Sequence, residues 1–268
     1  MPGVRLATWN INSVRARLDR ALALLERHDL DVLALQETKC TAEQFPAAAF
    51  EERGYRVAAL GTSQWNGVAL VSRVGLDDVA DGFPGQPGWG EPPAAEARAL
   101  GATCGGLRVW SLYVPNGREL TDPHYAYKLD WLARLRDAAA GWLAADPDLP
   151  LALVGDWNIA PLDDDVWDPE VFVGRTHVSG PERAALAALD ALGLQEQTRV
   201  HLPEPHTFTY WDYQHLRFAR REGMRIDLAY ASPALAARVT GVRIDRDERK
   251  GKGASDHAPV LLEVADPA

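Results

Sequence analysis

Residues 151–161, LALVGDWNIAP, constrain this chain more than any other stretch. The apolar run with β-branched Val154 reads as a buried strand that stops at Gly155, with Asp156 and Asn158 placed where it stops. Open α/β sheets bind ligands at the carboxyl ends of their strands, where loops gather polar groups over a rigid floor. Two residues apart in extended backbone, the acid and the amide point to the same side. One can activate a water while the other donates to an anionic oxygen, which suits hydrolysis of a phosphate ester.

The strand at 150–155 has company at 4–9, 31–36, 55–60, 67–72, 97–103, 107–114, 206–211, 225–231, 239–244 and 259–264. Helical periodicity lies between some of these. Ser13 is placed to cap a helix over 14–28 with Val14, Leu18, Leu22 and Leu25 on one stripe. A second helix is expected at 124–145 through Leu129, Leu132, Leu135, Ala139 and Trp142, and a third at 181–192 with Pro181 in its first turn. The Gly- and Pro-rich stretch 74–95, like 157–180, reads as a long surface loop. Some strands alternate with helices and others follow by short turns, which suits two mixed sheets packed face to face with helices outside, in one domain over 1–268. No Gly-rich nucleotide fingerprint or P-loop supports a doubly wound alternative.

Other strands end as the 150–155 strand does. Asn10 and Asn12 close the first, Gln36 and Glu37 the second, Tyr113 and Asn116 another; Asp256 and His257 precede the last, and Asp227 interrupts an apolar run. Taken singly, an Asn after a strand is a turn residue, an acid before a helix is a cap, and Asp227 is an ion-pair partner of Arg225. Together they match a hard divalent cation, which takes oxygen ligands from one or two carboxylates and leaves room for water and phosphate. Glu37, Asn10 and Asp256 are the candidate ligands; no HxxxH or CxxC pattern points to zinc. An Asp227–His257 pair would fix the imidazole tautomer and favour its cation, which can face a phosphate oxygen.

The net charge of −10 in 268 residues weighs against a nucleic-acid partner. Local clusters oppose it: Arg217, Arg220, Arg221 and Arg225 stand against Glu222 in 215–225, and Arg246, Arg249, Lys250 and Lys252 against two acids in 246–252. These read either as solvated loops or as phosphate contacts. No apolar run approaches the roughly 20 residues of a membrane span. With a strand expected to begin at residue 4, no signal peptide is expected. Cys40 and Cys104 lack metal or redox spacing, so free thiols in the cytoplasm are expected.

In order, WNIN, LQETK, YVPNGRE, GDWNIAP, TFTYWDY, GMRIDLAYAS and SDHAPV resemble the exonuclease III family of apurinic/apyrimidinic endonucleases, within the endonuclease/exonuclease/phosphatase superfamily, from about residue 4 to 264. The resemblance implies a four-layered α/β sandwich, a Mg2+ cofactor with Mn2+ as substitute, and roles that carry over position by position. Glu37 would be the main metal ligand, supported by Asn10 and Asp256, with Asp156, Asn158 and His257 marking a possible second metal position. Asp156 would orient or deprotonate the attacking water, Asn158 stabilise the pentacoordinate phosphorus, and Tyr113 lie at the scissile phosphate or leaving oxygen. His257, oriented by Asp227, would hold a non-bridging oxygen.

The same resemblance implies a monomer acting on duplex DNA, cut on the 5′ side of abasic sugars to leave a 3′-hydroxyl, with 3′-to-5′ exonuclease or removal of 3′ blocking groups beside it. Tyr210 and Trp211 match the aromatic pair that walls the pocket for an extruded abasic sugar. Met224 stands where some relatives carry Trp, implying a looser pocket. Asn12, Asn116 and Arg118 join these as substrate-binding candidates, and Arg118, Arg217, Arg220, Arg221, Arg225 and Lys252 as candidate phosphate contacts, Arg225 being equally open to a structural role. The alternative is a phosphodiesterase of the same superfamily acting on RNA, a phospholipid or an inositol phosphate. A catalytically silent DNA-binding module is disfavoured by the presence of Glu37, Asp156, Asp256 and His257.

Overall fold

The computed structural model describes residues 3–267. Its strands are β1 (Val4–Asn10), β2 (Val32–Gln36), β3 (Arg56–Leu60), β4 (Val68–Ser72), β5 (Asp77–Asp81), β6 (Ala99–Cys104), β7 (Leu107–Tyr113), β8 (Leu151–Asp156), β9 (Gln195–Glu196), β10 (Asp227–Ala231), β11 (Val239–Ile244) and β12 (Val260–Val264). They form two six-stranded sheets, in the orders β11-β12-β1-β2-β4-β3 and β5-β6-β7-β8-β10-β9. Each sheet holds one parallel pair, β1–β2 in the first and β7–β8 in the second, with antiparallel neighbours elsewhere. The carboxyl ends of these central strands are the ends marked by Asn10, Glu37, Tyr113 and Asp156.

Strand alternation sorts the side chains into layers. Leu6, Val32, Ala34, Val68 and Leu70 of one sheet meet Ala102, Val109, Ala152, Val154 and Ala229 of the other in a dry central core. On the outer face of the first sheet, Trp9, Leu33, Leu35 and Val71 pack under α1 (Leu18–Arg27) and α2 (Ala47–Glu51). On the outer face of the second, Trp110, Leu112, Leu153 and Tyr230 pack under α3 (Pro123–Ala145) and α4 (Gly180–Asp190). Each fully buried large apolar side chain contributes roughly 1.5–3 kcal/mol. Near the polar end the sheets are pinned together: Gln36 Nε2 donates to Ser111 Oγ at 2.9 Å, and that hydroxyl donates to the Leu35 carbonyl at 2.8 Å. Gly155 is required here, because a Cβ on it would lie 1.9 Å from the Leu112 carbonyl oxygen.

Several sequence expectations are corrected. Ser13 does not cap α1, which starts at Leu18; Ser13 sits at φ +85° and its N–H donates to the Glu37 carbonyl at 2.7 Å. Ile11, Ser13 and Val14 extend the pairing of β1 with the segment after β2, so residues 14–17 are not free to begin a helix. The 74–95 loop contains β5, whose DDVAD sequence has no apolar alternation because it is an exposed edge strand. Residues 206–211 form no strand; Thr209 and Tyr210 donate to the Met224 carbonyl and Trp211 to that of Asp256, so the segment is threaded across the rim of the site. The α4 helix carries Pro181 in its first turn as expected, and Ser179 with Glu182 adds a capping box.

Arg225 is not a phosphate contact. Its guanidinium is 1% exposed, with Nε and Nη2 donating to Asp165 at 2.8 and 3.1 Å and Nη1 to Glu196 at 2.6 Å. Removing one member of a buried pair strands the other charges, at about 3–5 kcal/mol. Arg225→Ala is expected to lose that much stability in urea unfolding, whereas exposed Arg220→Ala is expected to change it by under ~0.5 kcal/mol.

Candidate active site

The ends of β1, β2, β7 and β8 and the starts of β10 and β12 converge on one cluster. Ligand atoms of Glu37, Asp156 and His257 all lie within 4.8 Å of one another. Asn10, fully buried, bridges the acids: its Nδ2 donates to Glu37 Oε1 at 2.8 Å and to Asp156 Oδ2 at 2.9 Å. Asp156 is completed by the Asn158 N–H at 2.9 Å on Oδ1. His257 Nδ1 lies 2.8 Å from Asp227 Oδ2, and its Nε2 lies 3.8 Å from Asp156 Oδ2. The Tyr210 ring covers His257, with centroids 4.8 Å apart.

Charge and burial set the protonation states. Burial alone would lower the His257 pKa, but the Asp227 and Asp156 carboxylates outweigh it and the imidazole is held as a cation. Burial raises Asp156 above the usual carboxylate range, with the His257 cation opposing and Asp227 and Glu37 adding to the rise. For Glu37, burial is outweighed by the Lys39 ammonium, 2.8 Å away, and by the Asn10 amide, so it stays ionised. Tyr113 is kept a neutral phenol by burial and by the Glu37 charge, while Arg98 stacks over its ring at 4.8 Å.

Carboxylates outnumber cations here: Glu37, Asp156, Asp227 and Asp256 face Lys39 and His257. This excess, with oxygen donors converging on the Glu37 side, fits a hard divalent cation. Two of the expected ligands, Asn10 and Asp256, lie beside the Glu37, Asp156 and His257 cluster. Asn10 presents its N–H groups between the acids, and Asp256 stands outside the three-residue cluster, accepting from Asn12 Nδ2 at 2.9 Å. Asn12 Oδ1 in turn accepts from Lys39 Nζ at 2.5 Å. Glu37, Asp156 and His257 are the groups whose ligand atoms lie close enough together to share one metal ion.

Asn158 lies beside this cluster, its Nδ2 donating to the Val114 carbonyl at 3.0 Å and its Oδ1 accepting from Asn116 Nδ2 at 3.1 Å. Asn116 also accepts the Arg118 N–H at 2.8 Å. Glu37, Asn12, Lys39 and Asn158 all have left-handed backbone, with φ between +47° and +52°. Such conformations cost non-glycine residues roughly 1–3 kcal/mol each and persist where surrounding structure enforces them.

An adjoining cavity of about 690 Å³ is lined by Trp167, Phe172, His177, Tyr210, Arg217 and Met224. Trp211, expected to form its wall with Tyr210, is turned away: it is 2% exposed, packs edge-on against Phe208 and Phe218, and borders a second cavity. Trp167 takes that wall, with Arg217 stacked over it at 5.0 Å. Sequence reasoning missed Trp167 and His177, because both lie in the irregular 157–180 segment. His177 Nε2 is 3.3 Å from Asn158 Oδ1, and burial, then the nearby Lys128 charge, keeps the ring neutral. On the rim, Arg246 and Arg249 interleave with Trp211, Phe218 and Tyr213, while Arg220, Arg221 and Lys252 are exposed.

Comparison with known proteins agrees with this geometry. Residues 7–257 match the Endonuclease/Exonuclease/phosphatase family. Exodeoxyribonuclease III of Haemophilus influenzae is 30% identical, over 97% of this chain and 99% of the relative. The 3′-5′ exonuclease NExo from Neisseria meningitidis superposes with a TM-score of 0.92 at 38% identity, covering 98% of this chain and all of that one. NExo from Neisseria has also been solved as a 3′ phosphatase bound to a product DNA hairpin. An AP endonuclease from Archaeoglobus fulgidus superposes with a TM-score of 0.90 at 32% identity, covering 98% and 100%. With the paired sheets, the acid–imidazole cluster and near full-length likeness in agreement, the chain belongs to the Endonuclease/Exonuclease/phosphatase family, as a nuclease of its exonuclease III branch.

Proposed function

We propose that this protein is a Mg2+-dependent DNA repair nuclease, with Mn2+ as substitute, that hydrolyses phosphate esters at abasic sites and at blocked 3′ ends. One observation carries the reading: Asp156 stands between Glu37 and the His257 cation, with Asn158 alongside. Glu37 and Asp156, with Asp256 nearby on Asn12, would hold the cation, which when bound would supply positive charge against the phosphate oxygens. Asp156, with its raised basicity, takes a proton from the attacking water. His257, charged and held by Asp227, receives a non-bridging oxygen, and the Asn158 amide stabilises charge gathering on phosphorus. The neutral Tyr113 phenol can donate to phosphate or leaving oxygen. The exposed Arg220, Arg221 and Lys252 offer local positive charge for duplex DNA despite the acidic total. The chain would act as a single catalytic domain, a monomer, in the cytoplasm.

A second reading gives priority to 3′ ends. His177 narrows the cleft next to Asn158, where an extruded sugar would enter, while a terminal 3′-phosphate needs no such pocket. The likeness to NExo points the same way. The test compares duplexes carrying an abasic site, a 3′-phosphate or an undamaged recessed end, with Mg2+ or with EDTA. Metal-dependent hydrolysis of at least one damaged duplex is expected, and the rate ratio ranks the two readings. Failure on all three DNAs, with turnover of an RNA, phospholipid or inositol phosphate, would overturn both.

A further inference from the structure

A buried ion pair used by none of the roles above lies directly beneath the Asn158 end of the site. Lys128 of α3 and Glu182 of α4 are both fully buried and paired. The Lys128 ammonium also donates to the Asn158 carbonyl oxygen at 2.7 Å. Glu182 Oε1 accepts the His177 N–H at 3.0 Å and the Thr176 hydroxyl at 2.7 Å. Its Oε2 accepts the Ser179 N–H and hydroxyl at 3.0 and 2.6 Å. The cation thus ends on the backbone of Asn158 and the anion on that of His177, two residues whose side chains meet at 3.3 Å in the cleft.

Stability alone is a poor reason for such a pair, since apolar residues of similar volume commonly serve a core as well. Geometry is a better one. Asn158 has φ +52° and His177 φ +78°, conformations a non-glycine residue keeps only when held. Lys128 lies on the buried stripe of α3 that includes Trp131, Leu132 and Leu135, where a lysine is otherwise out of place.

We propose that Lys128 and Glu182 form a positioning pair, which fixes Asn158 and His177 beside the scissile phosphate. The inference rests on Asn158 being a phosphate-binding residue. Its test uses the full chain with Lys128→Met and the charge-free double variant Lys128→Met/Glu182→Leu, the latter sparing the protein a lone buried charge. The double variant is expected to stay folded, melting below wild type because the α4 capping box and the acceptor for the His177 N–H are lost, and to bind Mn2+ equally well without DNA. Its kcat on a 3′-phosphate duplex should fall about 30- to 100-fold with KM within about threefold, since misplacement by an ångström costs on that order. Hydrogen exchange over residues 157–160 and 176–178 should quicken at least about tenfold relative to β8. A folded double variant with wild-type kcat and unchanged exchange would overturn the proposal, as would a double variant that cannot fold, which would make the pair structural. If the wild-type enzyme cleaves no DNA, the functional reading fails, while the exchange measurement still decides the positioning role.

Discussion

Asp156→Asn is expected to slow hydrolysis by about 10³-fold or more, roughly 4 kcal/mol of transition-state stabilisation, while the protein stays folded. Asparagine keeps the shape and an Oδ1 acceptor for the Asn158 N–H, but sets its amide NH2 against the Asn10 Nδ2 donor. It removes the base and one of the two carboxylates suited to the cation. The stability effect should have the opposite sign. A carboxyl whose folded pKa is raised binds its proton more tightly in the native state, so native stability falls as pH rises through the ordinary carboxylate range. Without metal, the variant should therefore melt above wild type at pH 8, by an amount on the order of 1–2 kcal/mol, and level with it near pH 4. Adding Mg2+ should stabilise wild type more than the variant, because the cation binds only the folded state and loses a ligand. Initial rates on a 3′-phosphate or abasic duplex and metal-free melts at the two pH values check both signs. Near-wild-type cleavage by the variant would remove Asp156 from the chemistry.

Most of the frame that carries Asp156 was legible in the sequence, because its strands are fully buried apolar runs and its acids and amides interrupt them abruptly. The central strands β1, β2, β7 and β8 appear within about two residues of their expected bounds. What misled was local pattern overruled by tertiary demand. Ser13 has the chemistry of a cap, yet its N–H is committed to Glu37. Residues 206–211 carry strand-forming residues, yet their N–H groups serve the loop carrying Met224 and the turn carrying Asp256. The adjacent aromatics Tyr210 and Trp211 fall on opposite sides of that segment, so only Tyr210 reaches His257. His177 gave no signal at all, since its place depends on a left-handed turn and on Glu182 six residues from Thr176. Lys128 did leave one: a charged residue in register with Leu132 and Leu135 on an otherwise apolar helix face.

His257→Ala is expected to cost about 10²–10⁴-fold in kcat, through loss of the fixed positive charge on the phosphate. Unlike the Asp156 change, it should also destabilise the fold, by about 3–5 kcal/mol, because it strands Asp227 in the core. Asp227 is 1% exposed, and its Oδ1 has no hydrogen-bond partner among the described residues even with His257 present. The pH dependence has a definite sign. The folded pKa of His257 is raised to about 10, so the stability it contributes is complete below its unfolded value near 6.5 and is lost as pH rises through the folded one. Urea unfolding should therefore find the gap between wild type and His257→Ala widest at pH 6 and shrinking toward pH 10. Asp227→Asn separates holding from touching: it leaves the imidazole in place but takes away the charge that keeps it cationic and sets its tautomer. If the two residues act as one unit, the double variant His257→Ala/Asp227→Asn should be no slower than His257→Ala alone and more stable than it, since the stranded charge is gone. Additive losses in both rate and stability would mean that Asp227 serves some group other than His257.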